Sequence, residues 1–139
     1  MTGNTAPRPT TDTDRDPEHA RFGKRVRNLA AEARSVRESF DPPDDENADE
    51  RAMSYAREGV GPVVSLYIEA RTGGQMVEFT QEEFRLLHRA LNDWLSLYAR
   101  CYGVELDADF TIREAAEILL KTHNVRDTAQ LLTCVPARR

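Results

Sequence analysis

Residues 80–102 read TQEEFRLLHRALNDWLSLYARCY. Thr80 followed three positions later by Glu83 is a capping box, and Phe79 and Phe84 stand where a hydrophobic staple places its two apolar residues. The spacing therefore predicts a helix that starts at Thr80 and ends before Gly103. At about 100° per residue, Glu82, Arg85, Arg89, Asn92, Asp93, Ser96 and Arg100 collect in one polar stripe. Within it, Glu82 can pair with Arg85 at i,i+3 and Arg89 with Asp93 at i,i+4, the pattern of a solvated face. The rest is apolar: Phe84, Leu87, Leu91, Leu95, Tyr98 and Tyr102 on one face, and Leu86, Ala90, Trp94, Leu97 and Cys101 on an adjoining one. Such a helix needs cover from two directions.

Upstream, Val64, Leu66, Ile68 and Ala70 alternate with Ser65, Tyr67, Glu69 and Arg71, which predicts a strand over 63–71 with one wet face. Gly73 and Gly74 suit a two-residue turn that sets Ala70 opposite Val77 and Ile68 opposite Phe79. A lone hairpin is marginal in water, so it is expected to lie against helices or to gain strands from another chain. Downstream, Thr111 and Glu114 form a second capping box, opening a helix to about Thr122. Asn124 suits a left-handed C-cap or the cap of a last helix from Val125 to about Thr133.

At the N-terminal side, Asp16-Pro17-Glu18 is a helix start. Phe22, Val26, Leu29, Ala33, Val36 and Phe40 follow at spacings of three and four, a coiled-coil seam that asks for one partner helix. Glu18–Glu38 carries six bases and three acids, while Asp41–Arg51 carries six acids and one base around Pro42-Pro43. The expected organisation is a disordered tail over 1–16, a basic amphipathic helix over 17–40, an acidic linker over 41–52, a core domain over 53–136 and a short tail over 137–139. Met53, just after the linker, is an alternative start. The fold class expected is α+β and mostly helical: a β-hairpin packed on a long central helix, two shorter helices after it, and a separate N-terminal amphipathic helix.

The 139 residues carry a net charge of −5 and two cysteines, Cys101 and Cys134. Two distant cysteines read as small buried hydrophobes rather than a disulfide. No run of eighteen apolar residues occurs and the first residues lack the apolar core of a secretion signal, so no membrane span and a cytoplasmic location are expected.

Residues 111–133, two short helices about a tight turn, resemble a helix-turn-helix. Ala115 sits where a small residue lets the helices cross, with Val125 and Leu131 packing the second one. The resemblance implies that Arg126, Thr128 and Gln130 face a major groove. The chain departs from that family in the turn, where Leu119, Leu120 and Lys121 replace the usual glycine, and in charge, since Arg113, Lys121 and Arg126 are balanced by Glu114, Glu117 and Asp127. The order of a strand at Met76–Phe79 and two capped helices also resembles the ribbon-helix-helix repressors. It departs from them in the length of its first helix, in the preceding strand and in the outward Glu78.

His88, Cys101, His123 and Cys134 have zinc-binding side chains but none of the short spacings that preorganise a site. Glu105, Asp107 and Asp109 resemble the start of a calcium loop, with Phe110 in place of the glycine it requires. No phosphate-binding glycine loop or nucleophile–base set is close in sequence. No catalytic residue, metal or cofactor is assigned, and no enzymatic activity is expected.

The function expected is a non-enzymatic protein-interaction or regulatory module acting through self-association, as a homodimer, or through a partner protein. Its interface is expected to use Phe22, Val26, Leu29 and Val36 on the seam and Leu86, Trp94 and Leu97 on the second apolar face. The alternative is a helix-turn-helix-like DNA-binding transcriptional regulator using Arg126, Thr128 and Gln130.

Overall fold

The computed structural model describes residues 17–72 and 77–136. In order, they form α1 (Pro17–Glu38), a 3₁₀ turn (Asp45–Asn47), α2 (Ala48–Tyr55), a π turn (Ala56–Val60), α3 (Gly61–Thr72), α4 (Gln81–Cys101), α5 (Ile112–Thr122) and α6 (Val125–Thr133). Among the described residues there is no strand, so the fold is all-helical and not α+β. The expected tails at 1–16 and 137–139 lie outside the described residues.

The expected hairpin is replaced by α3. Its first strand, residues 63–71, is helical, and residues 77–79 of the second have no regular structure, while 73–76 lie outside the described set. The apolar residues here satisfy both periods. Val60, Val63, Val64, Tyr67 and Ala70 are buried at spacings of three and four, while Ser65 and Glu69 are exposed. A backbone amide of Val77 does reach Ala70, donating to its carbonyl at 2.9 Å. That bond satisfies one of the orphan carbonyls of a helix end and belongs to no ladder.

α2 runs into α3 through Gly61 and Pro62. Pro62 has no amide to offer Glu58, and its ring would collide with that carbonyl in a regular helix. The π turn widens the backbone at this point: the Gly61 amide bonds the carbonyl of Ala56, five residues back.

Both expected capping boxes are formed. Thr80 accepts from the Glu83 amide at 3.0 Å while the Glu83 carboxylate accepts from the Thr80 amide at 2.9 Å. Thr111 and Glu114 repeat the arrangement at 3.0 Å in each direction. Phe79 and Phe84 meet with ring centroids 6.4 Å apart, as a staple requires. Gly103, at φ 77°, turns the chain out of α4. His123, at φ 54°, takes the left-handed position after α5, and Asn124 caps α6 by accepting from the Asp127 amide at 2.9 Å.

α4 is the pillar of the core. α1 lies along it with Phe22, Val26, Ala30 and Ala33 buried, and the α2–π–α3 segment, α5 and α6 close around the remainder. α1 is thus no separate helix. The polar stripe of α4 is a solvated face only in its first half, where Glu82, Arg85 and Arg89 are exposed and Glu82 pairs with Arg85 as expected. Asp93, 2% exposed, turns away from Arg89 and is bridged from α1 by Arg37 at 2.7 Å and Arg34 at 3.2 Å. Asn92 holds Phe110, accepting from its amide at 2.7 Å and donating to its carbonyl at 2.9 Å. The Ser96 hydroxyl donates to the Leu106 carbonyl at 3.2 Å. Asn92, Asp93 and Ser96 thus form a row of hooks for α1 and for the loop before α5.

Candidate functional site

Of the interface residues expected from the sequence, Phe22, Val26, Trp94 and Leu97 are buried inside this chain, and Leu29, Val36 and Leu86 are partly buried against its core. The heptad seam finds its partner helix in α4 of the same chain. The second apolar face of α4 is covered by its own neighbours: Trp94 lies against Gly59 and against Tyr55, with ring centroids of the latter pair 5.6 Å apart. None of the seven presents an open apolar surface, because all help form or pack against the core.

The three residues expected to read bases are engaged within the chain. Thr128 is fully buried, and its hydroxyl donates to the Asn124 carbonyl at 2.9 Å. Gln130 donates to the Pro136 carbonyl at 2.8 Å. Arg126 reaches across to Asp49 at 3.4 Å and to the hydroxyl of Tyr102 at 3.5 Å.

That last contact belongs to a cleft of about 570 Å³. It lies where the end of α4 meets the acidic segment and α6, with Pro42, Asp49, Arg100, Tyr102 and Arg126 in its walls. Tyr102 donates a short hydrogen bond, 2.6 Å, to the Asp49 carboxylate. Burial, reinforced by this bond, holds the phenol well above its ordinary range. Cys101 beside it is pushed up to about 11 by burial, against a smaller opposing pull from Arg51. Tyr98 is also raised by burial and donates to the Val135 carbonyl at 2.7 Å.

At neutral pH these groups are neutral hydrogen-bond donors, and a nucleophile or general base requires the opposite tuning. The Asp49–Tyr102–Arg126 cluster ties α2, α4 and α6 together. Sequence reasoning missed it because Asp49 and Tyr102 are 53 positions apart, one read as part of an acidic linker and the other as part of an apolar helix face. Among the described residues, no three His, Cys, Asp or Glu side chains gather to hold a metal, and no helix is long and apolar enough to cross a membrane.

Large apolar side chains do remain open to solvent on the last two helices. Leu120 of α5 is 55% exposed and Leu131 of α6 is 45% exposed, more than any other large apolar residue described. The 111–133 resemblance assigned Leu131 to packing the second helix; Leu131 is exposed instead, and the buried residues of the pair include Ala115, Ala116 and Ala129.

The model of a family described as Domain of unknown function (DUF8055) matches residues 20–137, so the chain belongs to that family. No curated protein and no solved structure matches the chain.

Proposed function

We propose that this member of the DUF8055 family is a non-enzymatic interaction module that docks a partner protein, or a second copy of itself, on the helix pair α5–α6. The observation that carries the reading is the exposure of Leu120 and Leu131 on a pair of helices whose small residues already satisfy the core. Fully burying an exposed leucine side chain is worth roughly 1.5–3 kcal/mol, and since these two are 55% and 45% exposed, covering both together supplies about that amount. The protonated state of Tyr102 and Cys101 supports the non-enzymatic part of the reading, since the cleft offers donors and no activated nucleophile.

Sedimentation of the full chain and of the Leu120→Glu/Leu131→Glu double variant tests it. The expected result is association of the wild type, with itself or with a protein cross-linked to it in its native cell. The double variant should lose that association while melting at the same temperature. A wild type that stays monomeric at tens of micromolar and cross-links to the same proteins as the double variant overturns the reading.

A further inference from the structure

The pairing of Asp93 with α1 leaves an excess of guanidinium groups around that carboxylate. Arg34 and Arg37 share the single carboxylate of Asp93. Arg89, which the sequence pairs with Asp93, has no carboxylate within ion-pair distance among the described residues. Arg85 is bridged only to Glu82, at 2.6 Å on an exposed surface, where such a pair contributes little. These four arginines line one groove of about 320 Å³ between α1, α4 and the loop before α5. Two carboxylates, Asp93 and Asp109, line it as well, so positive charge is in excess.

We propose that this groove is a binding site for a phosphate group. Each guanidinium carries five N–H donors in a planar fork, and the fork matches phosphate oxygens two at a time. Asp93 occupies only part of the donor set of Arg34 and Arg37, whose side chains are each 38% exposed. The Nε of Arg34 and the Oδ2 of Asp93 are buried without a hydrogen-bond partner, so the donors open to a ligand are the outer guanidinium nitrogens. Because the buried carboxylate pins these two side chains, little of their rotamer freedom remains to be lost when a ligand arrives. The excess charge and the number of converging forks suit a dianion with several peripheral oxygens better than a carboxylate. The groove is also larger than a phosphate ion needs. His88 lines it and is stacked on Phe84 with ring centroids 5.2 Å apart, which offers a flat surface to the organic part of a phosphate monoester.

The test titrates the full chain, at ionic strength held constant with sodium chloride, with inorganic phosphate and separately with adenosine monophosphate, following backbone amide resonances. Saturable shifts centred on Arg34, Arg37, Arg85, His88 and Arg89 are expected. Arg89→Ala should weaken binding about tenfold with an unchanged melting temperature, because no contact described ties Arg89 to the fold. Asp109→Asn should tighten binding by removing the exposed carboxylate at the groove. Tighter binding of the nucleotide identifies an organic phosphate as the source, and equal affinities identify the free ion. Shifts that stay linear, that extend equally to Lys24 and Arg27 on the outer face of α1, or that persist undiminished in Arg89→Ala overturn the proposal.

Discussion

The indole of Trp94 lies so close to the backbone of Gly59 that a β-carbon on the glycine would fall 2.2 Å from its Cδ2. Real side chains do not approach to that distance, so Gly59 is required by contact and not by its own dihedral angles. Replacing a glycine by alanine inside a helix ordinarily stabilises by up to about 1 kcal/mol. Gly59→Ala should do the reverse, destabilising by roughly 1–3 kcal/mol through overpacking. Urea denaturation of the variant decides the sign.

The clasp between α1 and α4 depends on one carboxylate. Asp93→Ala leaves Arg34 and Arg37 facing each other with no counter-charge, and removal of one member of a buried ionic group costs about 3–5 kcal/mol. Both arginines are partly solvated, so we expect the lower part of that range or somewhat less. The check is the denaturation midpoint, with Arg89→Ala as the control that leaves it unmoved.

Asn92 should prove to be the anchor of the loop before α5. Its side chain both donates to and accepts from the backbone of Phe110 and also donates to the His88 carbonyl at 2.8 Å. Asn92→Ala is expected to cost roughly 1–3 kcal/mol by leaving these groups unpaired. Amide hydrogen exchange at Phe110 should accelerate more than exchange in the middle of α4.

The thiols differ in reactivity for a physical reason. Cys134 is exposed and Cys101 is buried with its thiol pushed up to about 11. At pH 8, alkylation should reach Cys134 first and Cys101 only on unfolding, with folded-state rates differing by at least about 100-fold. Equal rates in the folded protein would contradict the described burial.

The same shifts set a direction for alkaline stability. The folded state holds the protons of Cys101, Tyr98 and Tyr102 more tightly than the unfolded chain does. Their contribution is therefore complete below the ordinary thiol value of 9.0 and is lost as pH rises from there toward 11 and beyond. Stability should fall over that window, and the Cys101→Ala/Tyr102→Phe variant should show a shallower slope whatever its stability at pH 7.

What could be read from sequence was local. The Thr80–Glu83 and Thr111–Glu114 boxes, the seam on α1 and the end of α4 at Gly103 each rest on side chains within a turn or two of one another. Residues 63–71 could not be assigned in that way. Val63, Val64, Leu66, Tyr67 and Ala70 fit a helix face as well as a strand face, and the choice lies with α1, α4 and α5, which bury them. The polar stripe of α4 suffered the opposite ambiguity. Charge spacing places Arg89 beside Asp93, but only the approach of α1 supplies the two arginines that win the carboxylate. The Tyr102 cluster arises from such a distant approach, and of the arginine groove only the α4 half, Arg85 and Arg89, stood in one stripe of the sequence, because Arg34 and Arg37 come from α1.

The position of α4 also governs how the chain can be made. α1 pairs with residues more than fifty positions further on, as the Arg37–Asp93 bridge illustrates. During synthesis, Phe22, Val26 and Trp94's eventual neighbour Gly59 all leave the ribosome before the surface that covers them exists. The N-terminal half should therefore emerge without a stable resting structure, and folding should wait for residues beyond Cys101, making the nascent chain dependent on chaperones for longer than its length alone suggests.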